Sequence, residues 1–292
     1  MGKRKGRKVM KTVVFPDGAV VPAIGQGTWY LGEDPRREEE EICALRTGIE
    51  AGMTLIDTAE MYGSGRSEIL VGKAIKGYDR KKLFLVSKVL PSNAGEDHIF
   101  QSCEASLARL GTDYLDLYLL HWQGEVPFEE TILCMEELMR RGWIRRWGVS
   151  NMDREDMEEI WRTPGGADCA ADQVLYHMAS RGIEYDLLPA LRACHTPVMA
   201  YCPLAQQGTL AGGLWKDPVL ASVAAAHHAS PAEILLAFVI RGGDVIAIPR
   251  SGNAAHVREN GAAAEIVLSV EEFRLLDKHF PAPAEKTPLD IV

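Results

Sequence analysis

Four residues in the first half of the chain form a candidate proton-handling set: Asp57, Tyr62, Lys88 and His121. Asp57 and Lys88 close two short apolar runs, Tyr62 follows in the loop after Asp57, and His121 comes directly after a third run. A phenol has an ordinary pKa of about 10, too high to give up a proton readily at neutral pH. An ammonium beside it favours the phenolate and lowers that value. Asp57 can pair with Lys88 and fix the ammonium, while His121 can hydrogen-bond a substrate oxygen. Tyr62 then protonates that oxygen as hydride reaches the neighbouring carbon, and general acid catalysis of this kind contributes roughly 10²–10⁴-fold. Singly, each residue has a plainer use. A strand-end Asp caps a helix, a Lys is solvated, and a His is a satisfied structural group. Their recurrence on consecutive strand ends makes them a set.

Positioning such a set requires the strands to share one rim. Eight short apolar runs read as buried parallel strands: Ala23–Gly27, Thr54–Thr58, Leu83–Ser87, Leu115–Leu120, Arg146–Ser150, Gln173–His177, Pro197–Cys202 and Asp244–Ile248. Amphipathic stretches between them predict helices over Glu38–Glu50, Ser67–Ile75, Ile99–Leu110, Phe128–Arg140, Arg154–Trp161, Tyr185–Ala193 and Ala232–Arg241. Ser230-Pro231 is an N-cap followed by proline at the first helical position, and Gly111 and Gly142 stand where helices end. Right-handed βαβ units repeated eight times predict an α/β protein, a closed (β/α)₈ TIM barrel. The rival doubly wound sheet needs a third glycine after its first strand; here Gly25-Gln26-Gly27 runs on into Trp29 and Tyr30.

Thr12–Phe15 and Ala19–Val21, joined by Pro16-Asp17-Gly18, predict a hairpin plugging the barrel's N-terminal mouth. Trp215–Ala229 and Phe273–His279 read as extra C-terminal helices. Residues 1–11 read as a basic, disordered tail and 12–292 as one barrel domain.

The net charge of -9 argues against a nucleic-acid partner, which favours an excess of Lys and Arg. No run approaches the ~20 apolar residues of a membrane span, and the basic start lacks the apolar core of a secretory signal. Cys43, Cys103, Cys134, Cys169, Cys194 and Cys202 are scattered without metal-ligand spacing. They read as small core residues of a cytoplasmic protein, and no metal is expected.

The segments Ile56-Asp57-Thr58-Ala59-Glu60-Met61-Tyr62-Gly63, Val86-Ser87-Lys88-Val89, Leu119-Leu120-His121-Trp122, Gly148-Val149-Ser150-Asn151 and Ile248-Pro249-Arg250-Ser251 resemble the ordered signatures of the aldo-keto reductases. The likeness runs from about Val14 to the C-terminus. Gly25-Gln26-Gly27-Thr28-Trp29-Tyr30, Arg145-Arg146-Trp147 and residues 181–188 are most similar to a bacterial branch of methylglyoxal and diketogluconate reductases. The resemblance implies an NADPH/NADP+-dependent barrel without metal, whose catalytic tetrad is Asp57, Tyr62, Lys88 and His121.

It further implies that Ser150, Asn151 and Gln173 hold the nicotinamide carboxamide and that Tyr201 stacks on the ring. Thr28 and Asp57 fall near the nicotinamide ribose, and Leu204 and Gln206 near the pyrophosphate. Arg250, Ser251 and Asn253 meet the adenosine 2′-phosphate, with Glu259 and Asn260 near the adenine. Gly27, Trp29, Cys202, Pro203, Ile248 and His256 complete the cofactor set. A guanidinium suits phosphate geometry.

Some positions depart from the family pattern. His256 stands where many members have arginine, and histidine is mostly neutral at pH 7, so NADH stays open beside NADPH. Arg250 replaces a lysine, Cys202 a serine, and Leu175 and Met178 a glutamate and a proline.

Trp29, Tyr30, Met61 and Trp122 lie just past strand ends and are expected to line an apolar substrate slot. The expected substrate is a small carbonyl compound: an aldehyde, a ketone or a ketoaldehyde such as methylglyoxal. Two alternatives are an NAD(P)-dependent alcohol or sugar dehydrogenase and a non-catalytic, cofactor-sensing barrel. Family habit implies a monomer or weak homodimer, with neither nucleic acid nor membrane as partner.

Overall fold

The computed structural model describes residues 10–205 and 213–292. Residues 1–9 of the expected tail and Gln206 lie outside the described residues. The last two residues of that expected tail, Met10 and Lys11, are tied to the barrel. Met10 packs against the core, and the Lys11 ammonium donates to the carbonyl of Ile266 at 2.7 Å.

The hairpin forms as β1 (Thr12–Val14) and β2 (Val20–Pro22), with Val13 opposite Val21. Phe15 stacks on Phe84 at 5.1 Å, and Arg146 pairs with Asp17. Phe84 begins one barrel strand and Arg146 precedes another, so the hairpin closes the N-terminal mouth.

Eight parallel strands follow in chain order: β3 (Gln26–Gly27), β4 (Leu55–Asp57), β5 (Phe84–Val89), β6 (Leu117–Leu120), β7 (Trp147–Ser150), β8 (Asp172–Leu175), β9 (Val198–Tyr201) and β10 (Val245–Ala247). Each pairs with its sequence neighbour. The ring is closed where Gly25 N–H donates to Ala247 O and Ala247 N–H to Ala23 O, both at 2.8 Å. Gly27 lies where β3 meets the end of β10. A Cβ there would stand 2.7 Å from the carbonyl oxygen of Ile248, so only glycine allows the approach.

The strands read as continuous apolar runs because both faces are covered; all six residues of β5 are buried. The helices around them are α1 (Glu38–Glu50), α2 (Arg66–Ile75), α3 (Ile99–Leu110), α4 (Phe128–Arg140), α5 (Arg154–Arg162) and α6 (Leu187–Ala193). After β9 come α7 (Pro218–Ala226) and α8 (Pro231–Val239), and after β10 come α9 (Ala254–Ala262) and α10 (Val270–His279). Ser230 and Ser269 form capping boxes with Glu233 and Glu272, which sets the starts of α8 and α10. Among the described residues no single helix is long and apolar enough to cross a membrane.

The cysteines are only partly core residues. Cys103, Cys134 and Cys169 are buried, whereas Cys43 and Cys194 are exposed and Cys202 is half-buried.

Candidate active site

The strand ends bring the four expected residues to one rim. Asp57 is the last residue of β4 and Lys88 the fifth of β5. His121 follows β6, its backbone N–H bonded to Val89 O. Tyr62 opens a tight turn before α2 in which Gly63, Ser64 and Gly65 all adopt positive φ.

The Lys88 side chain is fully buried. Its Nζ donates to Asp57 Oδ2 at 2.8 Å, to the carbonyl of Thr58 at 2.9 Å and to the Tyr62 hydroxyl at 3.0 Å. An ammonium has three hydrogens, and this geometry uses all of them. Burial acts against charge on both Lys88 and Asp57, and their contact acts for it. Asp57 Oδ1 accepts from Gln173 Nε2 at 2.7 Å, so both carboxylate oxygens are held.

One expectation is corrected here. The Tyr62 phenol is pushed well above its ordinary pKa, by burial first and then by the Asp57 carboxylate. Desolvation outweighs the neighbouring ammonium, so the phenol stays protonated in the resting site. Because its oxygen already accepts from Lys88, its own hydrogen is free to point into the cavity.

His121 is pushed down to about 3 by burial, with Lys88 adding to the shift, so the ring is neutral near pH 7. Its Nδ1 is buried without a partner. The three Lys88 hydrogens are all engaged, and the neutral His121 ring keeps a single N–H.

Asp57, Tyr62 and His121 sit on the floor of a cavity of about 560 Å³, with Lys88 buried beneath them. Gly27, Thr28, Trp29, Tyr30, Asp57, Met61, Tyr62, His121, Trp122, Ser150, Asn151, Gln173, Tyr201, Cys202, Ile248 and Arg250 all line it. Trp29 stacks on Tyr30 with centroids 4.6 Å apart, and Trp122 lies 4.9 Å from the His121 ring. The Asn151 amide, on a residue with φ of 61°, donates to His121 O and Ser150 Oγ and accepts from the Tyr201 hydroxyl at 2.8 Å. Thr28 is fully buried and donates to the carbonyl of Asp57.

Other expected cofactor residues stand off the cavity wall. Pro203, Leu204 and Asn260 are buried, and Leu204 belongs to the hydrophobic core. Ser251 is half-buried, and Asn253, His256 and Glu259 are exposed; Asn253 Oδ1 caps the start of α9 at the N–H groups of Ala255 and His256, and Glu259 lies further along that helix.

Four lining residues were not anticipated: Gln123, Asp156, Ile291 and Val292. The last two arrive on a strap over residues 281–292. Lys286 pairs with Asp153 at 2.6 Å and Asp186 at 3.0 Å, and Asp290 accepts from the Ser180 hydroxyl. Nothing local marks this strap, because these contacts bridge 100 positions or more.

Residues 23–280 match the aldo/keto reductase family. The chain is 56% identical over 282 residues to the methylglyoxal reductase YeaE of Escherichia coli (strain K12), covering 97% of this chain and 99% of that one. A crystal structure of an aldo/keto reductase from Klebsiella pneumoniae in complex with NADP and acetate superposes with a TM-score of 0.95 at 54% identity, covering 97% of this chain and 100% of that one. An aldo-keto reductase from the same organism in complex with NADPH gives 0.94 at 54% identity over the same shares. With the barrel, the rim residues and the near full-length likeness in agreement, the chain belongs to the aldo/keto reductase family.

Proposed function

We propose that this protein reduces small aldehydes, ketones and ketoaldehydes, methylglyoxal among them, with NADPH and with Tyr62 as general acid. One observation carries the reading: the Lys88 ammonium spends a hydrogen on the Tyr62 hydroxyl, leaving that group's own proton facing a cavity floored by neutral His121.

The residues present suit a dinucleotide. Ser150, Asn151, Gln173 and Tyr201 offer amide and hydroxyl groups on one wall, and Arg250 offers a cation on the same cavity. A bound reduced nicotinamide supplies the hydride. His121 orients the substrate oxygen as a neutral partner. Trp29, Tyr30, Met61 and Trp122 hold the carbonyl compound in an apolar slot. As negative charge grows on the substrate oxygen, it becomes a stronger base than phenolate, and Tyr62 yields its proton despite its raised pKa. Lys88 and Asp57 then steady the tyrosinate through the existing contact.

The test is NADPH oxidation, followed by absorbance, with methylglyoxal and a panel of aldehydes. Turnover is expected, and Tyr62→Phe should lower kcat by roughly 10²–10⁴-fold with cofactor affinity retained. An unchanged kcat in Tyr62→Phe would remove the phenol from the mechanism. No turnover with any carbonyl would favour a sensing role.

A further inference from the structure

The loop that follows β10 meets the start of α1, where Arg37 precedes four glutamates, Glu38 to Glu41. α1 and α9 pack side by side, and the residue before α1 is Arg37. Its guanidinium lies against Gly252, where a Cβ would stand 3.0 Å from Nη2. A side chain at position 252 would crowd this contact, and glycine leaves it open. Arg37 Nε is 3.4 Å from Glu40 and Nη1 is 3.9 Å from Glu41, and its side chain is 46% exposed. Glu41 is nearly fully buried and accepts from the Gly32 N–H at 2.8 Å, which holds the loop before α1 against the helix.

On the other side of Gly252, Ser251 Oγ accepts from the N–H of Asn253, and Asn253 caps α9. Arg250 bridges to Gly27 beside them. Arg37 thus stands against Gly252, in the same 250–253 stretch that carries Arg250 and that the family resemblance sets at the adenosine 2′-phosphate. His256 stands on α9 where the family pattern favours arginine.

We infer that Arg37 is a specificity-determining residue that supplies the second guanidinium for the 2′-phosphate of NADP(H), in place of the arginine absent at position 256. This rests on the NADPH reading above. Arg37 at the α1 start and Arg250 in the 250–253 stretch are the two cations that would hold the phosphate. Both guanidinium groups present flat, multidentate donors to a phosphate. Glu40 and Glu41 hold Arg37 in place without consuming its donors at ideal distance, since both contacts are long. Charge-assisted contacts at a half-exposed site are screened, so the effect on affinity is about tenfold rather than a thousandfold.

The experiment is equilibrium titration of the full chain with NADPH and NADH by quenching of protein fluorescence. Calorimetry with 2′,5′-ADP and 5′-AMP isolates the phosphate. Arg37→Ala is expected to weaken NADPH and 2′,5′-ADP by about tenfold, leave NADH and 5′-AMP within about twofold, and flatten the salt dependence of NADPH binding. Arg37→Lys restores part of the loss as a point charge. Thermal melting checks that Arg37→Ala is folded.

If Arg37→Ala weakens both dinucleotides equally, the residue supports the fold and the inference fails. If Arg250→Ala removes the NADPH preference while Arg37→Ala keeps it, the inference fails and the NADPH reading stands. If the wild-type protein binds both dinucleotides alike, both fail together.

Discussion

Lys88 and Lys286 both hold a wall of the same cavity, one from beneath and one from outside. Lys88 is fully buried and touches one carboxylate, one carbonyl and one phenol. Lys286 is one-third exposed and lies near three carboxylates, those of Asp153, Asp186 and Glu155. By count the outer lysine has more ion pairs, yet burial decides what each is worth. In the interior, removing one partner strands the other charge without water. At the surface, water and salt replace most of what a lost pair supplied. The floor of the site is therefore a unit that fails as a whole, and the strap is an adjustable wall.

The largest expected effect is at the floor. Lys88→Met should lower kcat by ~10²-fold or more and destabilise the fold by about 3–5 kcal/mol, because Asp57 is left buried without its cation. Adding Asp57→Asn should return much of the stability without returning activity. Denaturant melts and steady-state rates on the single and double variants check this. Stability that falls further in the double variant would show that the two residues do not act as a pair.

A smaller effect lies where the strap meets the barrel. His177 is buried, and its Nδ1 accepts from the N–H of Ala179 at 3.1 Å, a bond only the neutral ring can make. Burial pushes it down to about 4, with Asp290 acting in the opposite sense. The folded value lies below the ordinary value of about 6.5, so the unfolded chain takes up the proton first as pH falls. The stabilisation is complete above about pH 6.5 and is lost progressively toward pH 4. Between pH 7 and 5 this amounts to about 2 kcal/mol. His177→Gln keeps an acceptor without a proton to bind, so its melting temperature should fall less over that range. Parallel curves for the two proteins would show that His177 is not the titrating group.

Local signals and distant contacts were unequally legible. The bounds of α1, α3 and α4 agree with the periodicity, since each helix carries its own stripe and α3 and α4 lead into the stop glycines Gly111 and Gly142. The tetrad was readable because barrel topology carries consecutive strand ends to one rim. Most strands came out shorter than their apolar runs, whereas β5 runs on past Ser87 to Val89. Ala23–Gly27, for example, turns from β10 to β4 partway along, so only Gln26 and Gly27 pair with β4. The direction of the Tyr62 shift was misjudged because a neighbouring charge shows in sequence and depth of burial does not. Ile291 and Val292 had no signal, since their place depends on side chains near positions 153, 180 and 186.

The smallest effect tests the strap itself. Lys286→Met removes the cation that ties residues 281–292 to Asp153 and Asp186. Such exposed pairs contribute roughly 0–1 kcal/mol, so the fold should melt within a few degrees of the wild type. Ile291 and Val292 would hold their place less of the time, and the slot would lose part of its apolar wall. KM for the carbonyl substrate should rise about two- to fivefold while kcat stays level, since that wall binds substrate and transition state alike. High salt should raise the wild-type KM toward that of Lys286→Met and leave the variant unmoved. Lys286→Arg should restore both the KM and its salt response. A kcat that fell in step with the rise in KM would instead join the strap to the floor as one catalytic unit, and the contrast between the two lysines would collapse.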